Sequence, residues 1–369
     1  MLRRILNLAL KEFLTLVKDP KSRTILFVPP LLQTLVFGYA ATLDLTSVRF
    51  AVYDQDHGQA ARELVARFDG SPTFQRVATV DHLQQSERLL ADKRALMVIH
   101  IGPHFTAGLR QGRQSPVQLL IDGRNSNTAL VAQGYARNVI QGFAADWAAA
   151  HGQRGPPARV VTRAWYNPTL NSHWFIIPGI VGLILLVVTM VVTALSVARE
   201  REQGTFDQLL VTPMRPVEIL VGKALPGMLV GLLEATAIVL IAVLWFQIPL
   251  RADLATLYLG IALFLLAAVG VGLMISSLAV TLQQALLGAF LFMVPAVILS
   301  GFATPIENMP TIVQHLTLID PLRYFLVIVR ASFLEGTPMA LLTDQYWPLL
   351  AIGLVTLALA GWLFRRRMY

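Results

Sequence analysis

"WFIIPGIVGLILLVVTMVVTALSVAREREQGTFDQLLVTPMRP", running from Trp174 to Pro216, decides how this chain folds. Residues 174–197 hold no Asp, Glu, Lys or Arg. A helix rises about 1.5 Å per residue, so they extend about 36 Å, more than the roughly 30 Å of a bilayer's hydrocarbon core. Directly after them, from Arg199, the sequence becomes densely charged. An apolar segment of this length with a polar device at its end is a transmembrane helix followed by a loop that has work to do in water.

The rest of the chain repeats the theme. Of its 369 residues 55% are hydrophobic and 14% charged, whereas soluble proteins carry about a quarter charged residues. Further spans are expected near 24–43, 224–247, 254–276, 284–302 and 347–364, making six. The apolar run "PLRYFLVIVRASFLEG" from Pro321 is shorter and carries Arg323 and Arg330, so it belongs to an outer re-entrant or interfacial segment, 303–336. Parity supports this reading. Six spans place Arg365, Arg366 and Arg367 on the same side as Arg3, Arg4, Lys11, Lys18, Lys21 and Arg23, the cytoplasm, as basic residues prefer.

The formal net charge of +8 does not point to nucleic acid, because the basic residues sit beside apolar segments as topology signals. The chain has no cysteine, which excludes disulfides, thiolate metal sites and a cysteine nucleophile. Residues 1–23 precede the first span. Leu2, Ile5, Leu6, Ala9, Phe13, Leu16 and Val17 fall on one helical face opposite Arg3, Arg4, Asn7, Lys11, Thr15 and Lys18, the pattern of a helix lying on the inner membrane surface. Asp19-Pro20 ends it. "GYAA" at Gly38–Ala41 resembles a cleavage site, but the region before it is too long for a usual signal peptide.

Residues 44–172 have an ordinary soluble composition and read as an extracytoplasmic α/β domain. Strand-like runs "VRFAVYD", "FQRVATV", "ALMVIHI", "VQLLID" and "ARVVTRAWY" alternate with helical patterns, implying a largely parallel sheet covered by helices. Asp81 with Gln84 suits a capping box, and Asn125–Ala150 reads as a longer helix. "DQDH" at Asp54–His57 and "DGRNSN" at Asp122–Asn127 are turns and caps rather than metal or ligand sites. "GQRGPP" at Gly152–Pro157 reads as a hinge.

From Arg199 to Leu210 a helix is expected to continue, with Phe206, Leu209 and Leu210 on one apolar face and Arg199, Glu200, Arg201, Glu202 and Asp207 around it. Thr212-Pro213 and Arg215-Pro216 break it, and Pro216 starts the next helix. Such an amphipathic helix fits a groove in a partner, though an ordinary solvated loop has the same composition.

"EREQGTFDQLLVTPMRPVEILVGK", Glu200–Lys223, and "LSGFATPIENMPTIVQHLTLIDPLRYF", Leu299–Phe325, resemble two segments of type-2 ABC transporter permeases, the export-type membrane subunits that pair with a separate ATPase. The layout of surface helix, span, external domain and five further spans matches the same family, and the large external domain resembles its multidrug-efflux-like branch. The resemblance implies an α-helical polytopic fold in a bacterial inner membrane, in which two permease subunits, identical or paralogous, form the path. ATP and Mg would bind only the partner ATPase. Glu200, Glu202, Gly204, Thr205, Phe206, Leu209 and Leu210, with the Thr212-Pro213 break, match the family's coupling element. Whether a periplasmic adaptor meets the external domain stays open. The residues agree that ATP chemistry lies elsewhere: "VEILVGKA" has Val217 where a phosphate loop needs its first glycine and Ala224 where it needs Ser or Thr.

Gly301, Pro305 and Pro310 interrupt helix at the outer end of the fifth span, so a re-entrant outer gate is expected there. Glu307 either caps a short helix beginning near Pro310 or faces the pathway. Glu234, near the middle of the third span, must face a cavity or a partner or be protonated, and is a candidate pathway residue. A non-transporting scaffold, recruiting envelope partners through the external domain, is the second reading; no HExxH, GxSxG or paired intramembrane aspartates support a hydrolase.

Overall fold

The computed structural model describes residues 2–18, 20–40, 45, 47–124, 126–152, 172–206 and 214–366. The chain forms two compact units, Met1–Ala41 with Ala164–Tyr369, and Thr42–Arg163.

The smaller unit is an α/β domain. Strands β1 (Val48–Asp54), β2 (Phe74–Thr79), β3 (Met97–Ile101) and β4 (Val117–Ile121) form one sheet in the order β2-β1-β3-β4. β1 pairs parallel with β2 and β3, while the edge strand β4 runs antiparallel to β3 with Ile101 opposite Val117. β1 lies inside the sheet, so its apolar residues are buried on both faces, as its near-continuous apolar sequence anticipates. One face takes Phe68 of α3 (Gln59–Asp69) and Phe143 and Trp147 of α6 (Ser126–Ala150) over Phe50 and Phe74. The other packs Ala51, Tyr53 and Val98 against Leu89 of α4 (Leu83–Ala91). A short α5 (Phe105–Arg110) precedes β4.

The parallel expectation is met by three strands; the run "ARVVTRAWY" and all but the first residue of "GQRGPP" lie outside the described residues. The capping box is corrected. α4 starts after His82, and it is Gln85, not Gln84, whose Oε1 accepts from the Asp81 N–H at 3.3 Å. In "DQDH", Asp54 Oδ1 accepts from the amides of Asp56 and His57, and Asp56 Oδ2 ties Gly58 to Thr106. In "DGRNSN", Asp122 pairs with Arg124, whose guanidinium also donates to the Leu90 carbonyl at 2.6 Å, closing the end of α4. Hydrogen bonds from Arg124 hold the Asp122 carboxyl down, from an ordinary 3.8 to about 2.

The larger unit is helical: α1 (Leu2–Lys18), α2 (Pro20–Ala40), α7 (Ser172–Glu202), α8 (Pro216–Leu240), α9 (Leu254–Leu278), α10 (Leu282–Leu299), α11 (Thr311–Leu316), α12 (Pro321–Arg330) and α13 (Thr343–Arg366). Five helices among the described residues are long and apolar enough to cross a membrane: Ser172–Glu202, Pro216–Trp245, Leu254–Leu278, Leu282–Leu299 and Met339–Arg366. The chain is therefore a multi-pass helical membrane protein. At the expected first span the apolar stretch is shorter, Leu26–Tyr39 within α2. The helices Thr311–Ile319 and Pro321–Glu335 bend by 85° at Asp320, which gives the run from Pro321 its broken geometry.

α9 forms the middle of the bundle. Its Gly272 lets α7 approach so closely that a Cβ there would lie 1.8 Å from Thr193 Oγ1, and Gly270 does the same for Thr356 of α13. Small residues at such contacts are how membrane helices gain packing without a hydrophobic drive between them. Phe264 of α9 stacks on Phe325 of α12 with ring centroids 4.3 Å apart.

α1 ends at Lys18 as expected, and of its expected apolar face Ala9 is buried and Ile5, Phe13, Leu16 and Val17 are half-buried, but two residues depart from it: Leu8 is buried, and Leu6 is exposed together with Leu10 and Leu14. The reason lies in α8. Gly222 leaves a notch in which Leu8 sits, a Cβ there being 2.7 Å from Leu8 Cδ2. Seating Leu8 rotates α1 and turns an exposed leucine stripe, spaced by four residues, to the outside.

Candidate functional site

The charged loop begins with a sharp stop. Gly204 has φ +69°, a left-handed conformation that favours glycine, and the amides of Gly204 and Thr205 bond back to the carbonyls of Arg201 and Glu200 at 3.1 and 2.9 Å. These two bonds make a Schellman motif. The expected continuous helix from Arg199 to Leu210 is thereby corrected: α7 ends at Glu202 and the chain turns at Gly204. Two side chains brace this end. Arg201 donates to the carbonyls of Ser277 and Ala279, closing α9, and Glu202 Oε2 accepts from the Leu282 amide at 2.7 Å, opening α10.

Phe206 lies two residues beyond the turn and is only 8% exposed. It packs with Leu8, Val197, Ile219 and Phe364, edge-on to the Phe364 ring at 5.8 Å, with the Arg201 guanidinium 4.9 Å above its own. The expectation of an outward knob is corrected for this residue, because the turn at Gly204 sends it back against α7 and α13. Leu209, Leu210, Thr212 and Pro213 lie outside the described residues. On the far side Pro216 opens α8 as expected, and Glu218 Oε2 accepts from the Arg215 amide at 2.9 Å.

Glu200 also points inward, correcting the expectation that its charge faces a partner. Lys223 Nζ lies 2.7 Å from Glu200 Oε2 and 3.4 Å from Glu12 Oε1, while Lys11 Nζ is 3.9 Å from both Glu12 and Glu200. The Lys223 side chain is 1% exposed. Its contact with Glu200 is one of opposite charges, without the alignment of a hydrogen bond. Two charges are affordable in so dry a place only as a cluster, and this one joins α1, α7 and α8.

The outer segment is built as short helical pieces. Gly301 turns the chain after α10 with φ +83°, Pro305 precedes a single turn at Ile306–Asn308, and Pro310 starts α11. Glu307 is exposed and its side chain does not cap that helix; Gln314 instead donates to the Met309 carbonyl at 2.9 Å. Asp320 caps α12 by accepting from the Leu322 amide. Glu234 is 2% exposed within α8, and neither of its carboxyl oxygens has a hydrogen-bond partner among the described residues.

The sequence family described as ABC-2 family transporter protein matches residues 23–362, from the start of α2 nearly to the end of α13. The chain belongs to this family. Two relatives, both named "Probable multidrug ABC transporter permease" and both from Escherichia coli K12, are similar along their whole length. YbhR is 38% identical over 369 residues, covering all of both chains, and YbhS is 34% identical over 373 residues, covering 99% of this chain and 98% of its own. The "Linearmycin resistance permease protein LnrN" of Bacillus subtilis is 23% identical over 380 residues, covering 97% and 98%.

In this ABC-2 permease, sequence reasoning located the charged loop but not the ion cluster behind it. Lys223 reads as an ordinary basic residue bounding an apolar segment, and Glu12 as part of a surface helix. The available signal was a lysine only one residue before a predicted span, placed to share a depth with the carboxylates that end the preceding helix.

Proposed function

We propose that this ABC-2 permease is the membrane subunit of an ATP-driven exporter, moving a drug-like, amphiphilic or lipid-like substrate outward. A separate ATPase subunit carries ATP and Mg and docks on the loop from Arg199 to Pro216. Six crossings, counting α2, put both termini in the cytoplasm of a bacterial inner membrane and residues 44–172 outside. A second permease subunit completes the path, and a periplasmic adaptor is a further candidate partner for the external domain. The names of YbhR and YbhS support the drug-like substrate class.

The observation that carries the coupling is the bracing of both ends of the loop. Glu200 and Lys223, one on each side, are tied to each other and to α1, and Phe206 is rooted in the same region. Nucleotide-driven closure of two ATPase subunits would pull on the stretch between Thr205 and Pro213, and the brace would convert that pull into a tilt of α7 and α8 together. Glu202, Leu209 and Leu210 remain the candidates for contact with the ATPase. The outer pieces around Gly301, Pro305, Glu307 and Pro310 form the outer gate, since broken backbone at membrane depth is tolerated where it is buried in protein or lines a cavity. Glu234 is the candidate for a buried group used in the path.

Copurification from native membranes, with bound chains identified by mass spectrometry, tests this. An ATPase of the ABC class should accompany the permease, and its absence would overturn the exporter in favour of a scaffold. The natural lack of cysteine allows a second check. Gln203→Cys should react with a membrane-impermeant thiol reagent only in inside-out vesicles, and Gln84→Cys only in intact spheroplasts; the opposite pattern would invert the orientation.

A further inference from the structure

Beside the ion cluster a cleft of about 890 Å³ opens between α1, α2, α7 and α8. Its lining combines two chemistries: hydrocarbon, with Leu16, Val192 and Leu195 among its residues, and the basic side chains of Arg4, Lys11 and Arg199. The whole lining holds four basic side chains, Lys223 included, against Glu12 and Glu200, a net charge of +2. Lys223 is already matched by those two carboxylates, and Lys11, its side chain 63% exposed, reaches each of them only at 3.9 Å. Arg199, by contrast, has no carboxylate within ion-pair distance among the described residues. The volume falls in the range of about 300–1,000 Å³ typical of sites for small organic ligands.

We propose that this cleft binds an anionic phospholipid, its phosphate against Arg199 and Lys11 and its acyl chain along Val192, Leu195 and Leu16. The net positive lining disfavours a cationic occupant, and its hydrocarbon residues favour one with a tail. α1 itself presents Leu6, Leu10 and Leu14 outward on its other face, an apolar stripe suited to lying among lipids. Gln203 and Thr205, on either side of the Gly204 turn, line the same cleft, so an occupant touches the root of the charged loop. The lipid would steady α1 against α7 and α8. That it comes from the inner leaflet rests on the orientation proposed above, whereas the binding does not.

Native mass spectrometry of the full-length protein, purified in mild detergent and titrated with defined lipids, tests the assignment. Phosphatidylglycerol should remain bound under conditions that strip phosphatidylcholine, and inorganic phosphate should not displace it. Arg199→Gln should weaken phosphatidylglycerol retention about tenfold, the loss of one charge-assisted contact of roughly 1.4 kcal/mol. Val192→Trp, which fills the apolar wall and leaves the charges intact, should weaken it as well. Equal retention of both lipids, or unchanged retention in both variants, would overturn the proposal, and displacement by inorganic phosphate would reduce the site to an anion site without a tail. The measurement needs neither an ATPase nor a sealed membrane, so its failure leaves the exporter reading untouched, and the reverse holds.

Discussion

Replacing Lys223 by Met tests whether the three-helix cluster is a unit. The side chain is 1% exposed, with Glu200 at 10% and Glu12 at 18%, so the charge removed was matching two poorly solvated carboxylates. Breaking a buried pair from one side costs about 3–5 kcal/mol. Lys11, 3.9 Å from each carboxylate, partly compensates, so about 3 kcal/mol is expected. Glu200→Gln leaves Lys223 its contact with Glu12 at 3.4 Å and should cost about 2 kcal/mol. In the double variant the unmatched Glu200 charge is gone, and the loss should be about 2–3 kcal/mol, well short of the sum of the single losses. Equilibrium unfolding in mixed micelles, read by tryptophan fluorescence, gives the four stabilities of the cycle. Additivity within about 0.5 kcal/mol, or a loss below about 1 kcal/mol for Lys223→Met, would refute the cluster as a coupled element.

Gly204→Ala forces a β-carbon into the left-handed region at roughly 1–2 kcal/mol, and should speed hydrogen exchange at the Thr205 amide, which bonds the Glu200 carbonyl at 2.9 Å. Gly272→Ala drives a methyl group into Thr193 and should cost about 1–3 kcal/mol in thermal unfolding. Thr193→Ala in the same chain should recover most of that loss, and no recovery would place the clash elsewhere. In the α/β domain, the depressed Asp122 carboxyl contributes stability that is present above its ordinary pKa of 3.8 and lost as the pH falls through about 2. Hydrogen exchange at the end of α4 in Arg124→Ala should therefore differ from the parent at pH 5 and converge with it toward pH 2.

Much of this protein was legible from composition and period. A run without charge from 174 to 197 can be satisfied only by a helix in lipid, and alternating apolar strands with turns at Asp54 and Asp122 can be satisfied only by a covered sheet. Those are local requirements of backbone hydrogen bonding and burial, and among the described residues four of the five expected strands and the five long apolar helices formed close to where they were expected. The charged loop was legible as a place but not as an arrangement. Amphipathic spacing suggested a helix running through Gly204, whereas the left-handed turn there ends it and buries Phe206.

Orientation about a helix axis was likewise beyond the pattern. Leu6 and Leu8 of α1 are equally apolar, and it is the notch at Gly222, more than 200 residues away, that selects Leu8 for burial and carries Glu12 to Lys223. What the sequence determined by itself was which segments leave water, because that depends on the transfer of each residue's own surface. Which charges meet, and which face of a helix turns inward, depends on shapes supplied by distant segments, and only the tertiary structure decided them.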